Sequence, residues 1–364
     1  MRKENKEMKE NDIKSVNGGV CAAKGYLAAG VYCGIRRNRT KKDLALVYSE
    51  TPATAAAVYT RNRVKGAPLT VTKAHVDGGK ISAIICNSGI ANTCCAGGKE
   101  LAEETCAIVG ETLGIPAESV AVASTGVIGQ PLDLAPFRYG VPELKAALSR
   151  DGSDAALAIM TTDTISKQVA VEFTLGGKVC RLGGMAKGSG MIHPDMATML
   201  VFLTTDAAVS KEMLQRALSG DVADTFNMMS VDGDTSTNDM VLLLANGMAG
   251  NEEITCENDD FRTFMRALNT VNIALCRMLA GDGEGATKLL DCVVTGADTL
   301  SDAKKAAKAI VCSSLVKAAM FGADANWGRV LCAMGYGGAA FDPESVDVVF
   351  RSAAGEVEVC RGGS

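Results

Sequence analysis

The sequence predicts an α+β or layered α/β protein, because strand-like apolar runs and amphipathic helical segments alternate along most of its length. A hairpin pattern covers 168–182, where two alternating segments flank the turn Gly176-Gly177. A run of large apolar residues at 199–203 predicts a buried strand, and 259–279 has the apolar period of a long helix. Mixed strands and helices with hairpin signals are typical of this fold class.

Further elements are predicted on both sides of that hairpin. The pattern favours strands at 43–48, 55–59, 80–86, 119–124, 240–245 and 289–295, and helices at 99–114, 153–160, 210–226 and 303–321. Residues 1–16 are charged and predict a solvated tail. We expect a catalytic domain over 17–230 and a second α/β domain over 231–364.

Composition excludes several classes of function. The net charge of −5, the absence of a basic stripe and the 4% aromatic content disfavour nucleic-acid binding. No apolar run approaches the ~20 residues of a membrane span, and the charged N-terminus is not a secretory signal. The odd count of 13 cysteines without C-x-x-C favours buried thiols in a reducing cytoplasm over disulfides or zinc. With two histidines, we expect neither a metal site nor a Ser-His-Asp triad.

The strand predicted at 119–124 runs directly into Thr125-Gly126. A glycine after a strand lets backbone N–H groups face a ligand, and such donors can form an oxyanion hole. A simple turn that ends the strand explains the same residues. The local pattern leaves both interpretations open.

The stretch 187–205 joins an irregular, glycine-rich loop to a core strand, and Thr198 lies at the junction. We hypothesise that Thr198 cuts the Ala197–Thr198 bond and then serves as an N-terminal nucleophile. Its new α-amine, with an ordinary pKa of about 7.7–8.0, would act as the base that a threonine hydroxyl needs. Alternatively, Thr198 is only a strand-forming residue.

The motifs of the whole chain resemble those of the ornithine acetyltransferase family, the bifunctional glutamate N-acetyltransferases of arginine biosynthesis. The resemblance covers about residues 17–350 and rests on motifs that occur in the family's order. They are NSGIAN, ASTGVIG, IMTTDT, KGSGMIHPDMATML, VDGDTSTND, DGEGATK and GADANWGR, after the long segment GYLAAGVYCGIRRNRTKKDLALVYSETPATAAAVYT.

The resemblance implies a fold similar to the N-terminal-nucleophile α/β sandwich, with a second α/β lobe. It implies self-cleavage before Thr198 into chains of 197 and 167 residues that stay associated, as a dimer of cleaved pairs. It also implies a ping-pong reaction in which Thr198 takes acetyl from N-acetylornithine and passes it to glutamate. No cofactor is implied, although some members accept acetyl-CoA as the acetyl donor.

By motif position, the resemblance assigns the oxyanion hole to Thr125 and Gly126, and substrate contacts to Thr164, Lys187, Thr198 and Glu284. A cation and hydroxyls can hold a substrate carboxylate, and a carboxylate can hold an amino group. Family members continue with a strand segment carrying an Asn and a Ser or Thr. This sequence stops at Ser364 without it, so we expect a fragment of a longer chain.

Two other functional classes remain. An amidohydrolase or aminopeptidase could use the same N-terminal threonine, with water in place of glutamate as the acceptor. A non-catalytic binding or scaffold protein is the third class, and the joint presence of Thr198, Thr125-Gly126, Lys187 and Glu284 disfavours it.

Overall fold

The computed structural model describes residues 13–37, 40–191 and 199–364. Within these residues, nine strands form one large sheet and two more form a separate hairpin. The strands are β1 Lys14–Val16, β2 Tyr26–Val31, β3 Leu44–Tyr59, β4 Ile81–Ile90, β5 Val120–Val127, β6 Lys167–Leu175, β7 Lys178–Lys187, β8 Leu200–Thr205, β9 Met240–Ala245, β10 Val348–Ser352 and β11 Gly355–Cys360. The helices are α1 Ala67–Gly78, α2 Gly98–Leu113, α3 Ala135–Ala147, α4 Ser153–Ala158, α5 Lys211–Asp224, α6 Asp259–Gly281, α7 Leu300–Cys312, α8 Ser314–Phe321 and α9 Trp327–Tyr336.

The 16-residue strand β3 divides the large sheet into two halves. Its beginning pairs with β2 and β4, and β4 runs parallel to β5; these strands form the first half-sheet. Its end, from Thr54 to Tyr59, pairs with β9, which continues through β8, β7 and β6 to β1; these form the second half-sheet. A register shift between Tyr48 and Ala53 separates the two parts of β3. We had predicted two strands here, and they are one.

The two half-sheets pack face to face between helices. Along β8, Leu200 and Phe202 belong to an apolar cluster that contains residues of both half-sheets. The alternate residues Val201 and Leu203 face a second cluster, which includes α5 and α6. A third cluster joins the outer face of the first half-sheet to α2 and α3. Because side chains alternate between the two faces of a strand, each half-sheet is buried on both faces. The layers therefore follow one another as helix, sheet, sheet and helix. The predicted layered α/β class is confirmed.

The C-terminal part has its own apolar cluster, formed by α7, α8, α9 and the β10–β11 hairpin. Residues 289–295, predicted as a strand, have no regular secondary structure. The helix predicted at 303–321 is two helices, because the Ser313 side chain accepts a hydrogen bond from the Val316 amide and caps the start of α8.

The N-terminal segment also differs from the expectation. β1 pairs with β6, so the expected tail ends before residue 14 rather than at residue 16. The division into domains at residues 230 and 231 stays a prediction. In the described part of the chain, no helix is long and apolar enough to cross a membrane.

Candidate functional site

The candidate site lies at one end of the second half-sheet, where β7 finishes and β8 and β9 begin. Lys187, the last residue of β7, is paired with Leu200, the first residue of β8. Leu200 is in turn paired with Met240, the first residue of β9. Lys187, Met199 and Asp239 therefore converge at one edge of the sheet. Thr198 and Ala197, the predicted nucleophile and cleavage position, lie outside the described residues, directly before Met199.

Lys187 is a buried cation that reaches β5 of the other half-sheet. Its Nζ donates a hydrogen bond to Thr125 Oγ1 at 3.3 Å, and both residues are less than 5% exposed. Burial lowers the Lys187 pKa, while the neighbouring Asp163 carboxylate opposes that shift. Burial also raises the Cys86 pKa to about 12, so this neighbouring thiol stays protonated. The structure thus brings together two of the predicted site residues, 62 positions apart in the sequence.

Gly126 occupies a place that admits only glycine. Its φ of +132° is rare for other residues, and a Cβ built there would lie 2.3 Å from the Gly89 carbonyl carbon. Gly89 and Gly126 are register partners in the parallel β4–β5 pair. The strand continues through Thr125 and Gly126 to Val127, so the predicted end at residue 124 is wrong. Close backbone contact, rather than a strand-ending turn, explains this glycine.

A buried ion cluster, consisting of Asp163, Lys167 and Asp282, lies beside Lys187. Lys167 Nζ donates to Asp163 Oδ1 at 2.7 Å and to Asp282 Oδ2 at 2.5 Å, and the three side chains are at most 4% exposed. Burial alone would raise the pKa of Asp163, but Lys187 and Lys167 outweigh it and hold that pKa below its ordinary value. Bonds from Lys167 and Thr164 lower the pKa of Asp282 against the same burial. Both carboxylates are therefore ionised at neutral pH.

The ion cluster fixes Thr164. The Thr164 amide donates to Asp282 Oδ2 at 3.0 Å, and its hydroxyl donates to Asp282 Oδ1. A threonine hydroxyl has one hydrogen, so only its acceptor lone pairs remain for a ligand. Thr164 is therefore arranged to meet a donor such as an N–H group.

Glu284 is exposed and lies over the turn that follows β7. A Cβ built on Gly190 would come within 2.6 Å of Glu284 Oε1, so the side chain covers that glycine. The Glu284 amide donates to the Ser189 carbonyl at 3.0 Å. A carboxylate on this turn can hold an ammonium group of a ligand.

Asp239 is a buried carboxylate outside the ion cluster. Its Oδ1 accepts a hydrogen bond from the Met199 amide at 2.9 Å, while its Oδ2 has no partner among the described residues. Burial raises the Asp239 pKa well above its ordinary value, although Met199 and Lys187 act in the opposite direction. The Asp239 carbonyl accepts from the Thr60 amide, which fixes this loop to the end of β3. Asp239 thus anchors the first described residue after Thr198.

Sequence reasoning did not single out Lys167, Asp163, Asp282 or Asp239. One signal for Lys167 was present. Along β6 it shares a face with Val171, Phe173 and Leu175, which are buried core residues. A lysine on the core face of a strand predicts a buried partner. The roles predicted for Thr125, Gly126, Thr164, Lys187 and Glu284 stay predictions.

Comparison with known proteins identifies relatives over nearly the whole chain. The model of the ArgJ family matches residues 27–364. The "Arginine biosynthesis bifunctional protein ArgJ" of Symbiobacterium thermophilum is 52% identical over 95% of this chain and 86% of its own length. The protein of the same name from Caldanaerobacter subterraneus is 51% identical over 97% and 87%. A solved structure, ornithine acetyltransferase complexed with ornithine from Mycobacterium tuberculosis, is 38% identical over 50% of this chain and 98% of that chain, with a TM-score of 0.46.

Proposed function

The chain belongs to the ArgJ family and is an acyltransferase of arginine biosynthesis, and we propose that it moves acetyl from N-acetylornithine to glutamate through an acetyl-Thr198 intermediate. The observation that carries the proposal is the buried contact between Lys187 and Thr125. It places a cation and a hydroxyl beside the strand that begins two residues after Thr198. Acetyl-CoA is a further donor in the same proposal.

The first step is self-cleavage. The Thr198 hydroxyl attacks the Ala197 carbonyl carbon, the acyl group moves from nitrogen to oxygen, and water hydrolyses the resulting ester. The products are the Ala197 carboxylate and the free Thr198 amine. The hydrogen bond from the Met199 amide to Asp239 supports this step, because it anchors the chain immediately after the nucleophile. The two chains stay associated, as a dimer of cleaved pairs in the cytoplasm.

Acetyl transfer then uses the new amine as the base. Thr198 Oγ attacks the acetyl carbonyl while the amine takes the hydroxyl proton, and Thr125 with Gly126 stabilises the oxyanion. The C–N bond breaks, and the ammonium returns the proton to the departing ornithine amine. Glutamate's amine attacks the acetyl ester and the same steps run in reverse. Lys187 supplies the charge for a substrate carboxylate, Thr164 accepts from an N–H group, and Glu284 holds an ammonium.

A denaturing gel with intact-mass analysis tests self-cleavage. We expect wild type to give two chains divided at Ala197/Thr198, and Thr198→Ala to stay whole and inactive. Thr174→Ala, at an exposed threonine of β6, is the matched control and should be cut like wild type. A single uncut wild-type chain with full activity would contradict the proposal.

The acceptor distinguishes the transferase from a hydrolase with the same nucleophile. We expect acetylglutamate to form from N-acetylornithine only when glutamate is present. Equal release of free acetate with and without glutamate would instead indicate an amidohydrolase.

A further inference from the structure

Lys167 uses all its hydrogen-bond donors within the protein. An ammonium group has three donors. Lys167 Nζ lies 2.7 Å from Asp163 Oδ1, 2.5 Å from Asp282 Oδ2 and 3.3 Å from the Ile165 carbonyl oxygen. The residue is fully buried. Lys167 therefore has no donor left for a substrate, and any role in the reaction must act through the groups it holds.

Those groups connect to three of the four predicted substrate contacts, Thr164, Lys187 and Glu284. Asp163 Oδ1 also accepts from the Gly188 amide at 2.7 Å, which fixes the residue after Lys187. Asp282 accepts from both the amide and the hydroxyl of Thr164.

The third connection runs to Glu284. The Ser189 hydroxyl donates to the Asp282 carbonyl at 2.6 Å, and the Ser189 carbonyl accepts from the Glu284 amide. Thr164, Lys187 and Glu284 thus depend on one buried ion cluster, although they come from separate parts of the chain.

We propose that Lys167 is a positioning residue for the substrate site, holding Thr164, Lys187 and Glu284 in one arrangement through Asp163 and Asp282. The inference rests on the proposed function, in which these three residues contact the amino-acid substrates. It assigns Lys167 to substrate binding and not to the nucleophile, because the Met199 amide, next to Thr198, donates to Asp239, which is outside the ion cluster.

Removing the Lys167 charge leaves two buried carboxylates, of which Asp163 still interacts electrostatically with Lys187 and Arg36. The repulsion between the two carboxylates falls when one of them takes up a proton, and burial also favours the protonated form. A protonated carboxyl becomes a donor at one oxygen, so it no longer accepts from Thr164 or Gly188 as before. Substrate binding should then weaken further as the pH falls.

The test is steady-state kinetics of Lys167→Met, which keeps the length of the side chain and removes its charge. We expect cleavage into two chains as in wild type, a KM for N-acetylornithine raised at least about tenfold, and a kcat within about threefold. Between pH 8 and pH 5.5 the variant's KM should rise further, whereas that of wild type stays level. A loss of fold stability alone gives no such pH dependence.

Asp221→Ala is the matched control. Asp221 is a buried carboxylate that accepts from Asn269 and Asn272 between α5 and α6. This variant should lose stability while its KM stays at the wild-type value.

An unchanged KM in a folded Lys167→Met would overturn the inference, provided that wild type transfers acetyl. A wild type without transfer would contradict the proposed function instead. If Lys167→Met does not fold, Asp282→Asn gives the same test, because it removes the charge that Lys167 faces and keeps an acceptor for Thr164. A KM within twofold of wild type in that variant would also overturn the inference.

Discussion

Asp282 and Asp239 are both buried aspartates of the candidate site, but their surroundings shift the carboxyl pKa in opposite directions. Asp282 meets Lys167 and the Thr164 donors, and its pKa is lowered. Asp239 meets one amide donor, one of its oxygens has no partner in the described part of the chain, and its pKa is raised. A fully bonded ion cluster favours a fixed geometry with both carboxylates charged, whereas burial of an incompletely bonded carboxyl favours its protonated form. The ion cluster is thus charged, whereas burial disfavours a charge on Asp239 beside Met199.

The largest effect that tests this comparison is on stability. Asp163→Ala removes an acceptor from Lys167, Gly188 and Thr161, and breaking a buried ion pair costs about 3–5 kcal/mol. Asp239→Asn keeps an oxygen for the Met199 amide and removes a charge that burial already disfavours, so it should not lower the unfolding free energy at neutral pH. Urea unfolding in a Thr198→Ala background, where the chain stays whole, measures both. Equal losses in the two variants would contradict the comparison.

A smaller effect is expected at Glu284, a predicted substrate contact outside the ion cluster. Glu284→Ala removes a carboxylate from an exposed position, so it should lower kcat/KM about tenfold while leaving stability and cleavage unchanged. Kinetics together with the denaturing gel check this. Glu257→Ala, at an exposed ion pair with Arg216, is the matched control and should retain wild-type kinetics. Loss of cleavage in Glu284→Ala would contradict a role restricted to substrate.

The third effect is on the pH dependence of stability. A lowered pKa in the folded state adds stability that is present above the unfolded pKa of about 3.9 and is lost as the pH falls through the folded value. Asp163 and Asp282 belong to this class. The raised pKa of Asp239 has the opposite sign, so its contribution is lost as the pH rises above about 4 toward its folded value.

Asp239→Asn should therefore gain stability relative to its parent as the pH rises from 4 to 8. Urea unfolding at several pH values in the Thr198→Ala background measures that difference. A pH-independent difference would show that Asp239 is ionised in the folded protein.

Much of the layered fold follows from local pattern. The strand at β8 and the helix α6 carry clear apolar periods, and both form as predicted. Helix α3 was not predicted, because Gly140 and Pro142 disfavour a helix interior in isolation. It forms where Phe137 and Leu144 are buried against the first half-sheet. Tertiary packing overrides propensity there.

The candidate site was predictable only in part, because its contacts join distant residues. Motif position selected Thr125, Lys187 and Thr164, but the hydrogen bond between Lys187 and Thr125 depends on how the two half-sheets pack. The Lys167–Asp282 pair spans 115 positions, which no local pattern encodes. A core-facing lysine could have predicted that a partner exists, though not which residue it is.

Covalent catalysis by Thr198 is tested by an acid quench of the cleaved enzyme after mixing with N-acetylornithine in the absence of glutamate, followed by peptide mass mapping. We expect one acetyl group on the peptide that begins with Thr198, and ornithine released in an amount equal to the enzyme. Adding glutamate should remove that acetyl group and yield acetylglutamate. Continuous transfer with no acetyl on Thr198 at any quench time would contradict an acetyl-Thr198 intermediate.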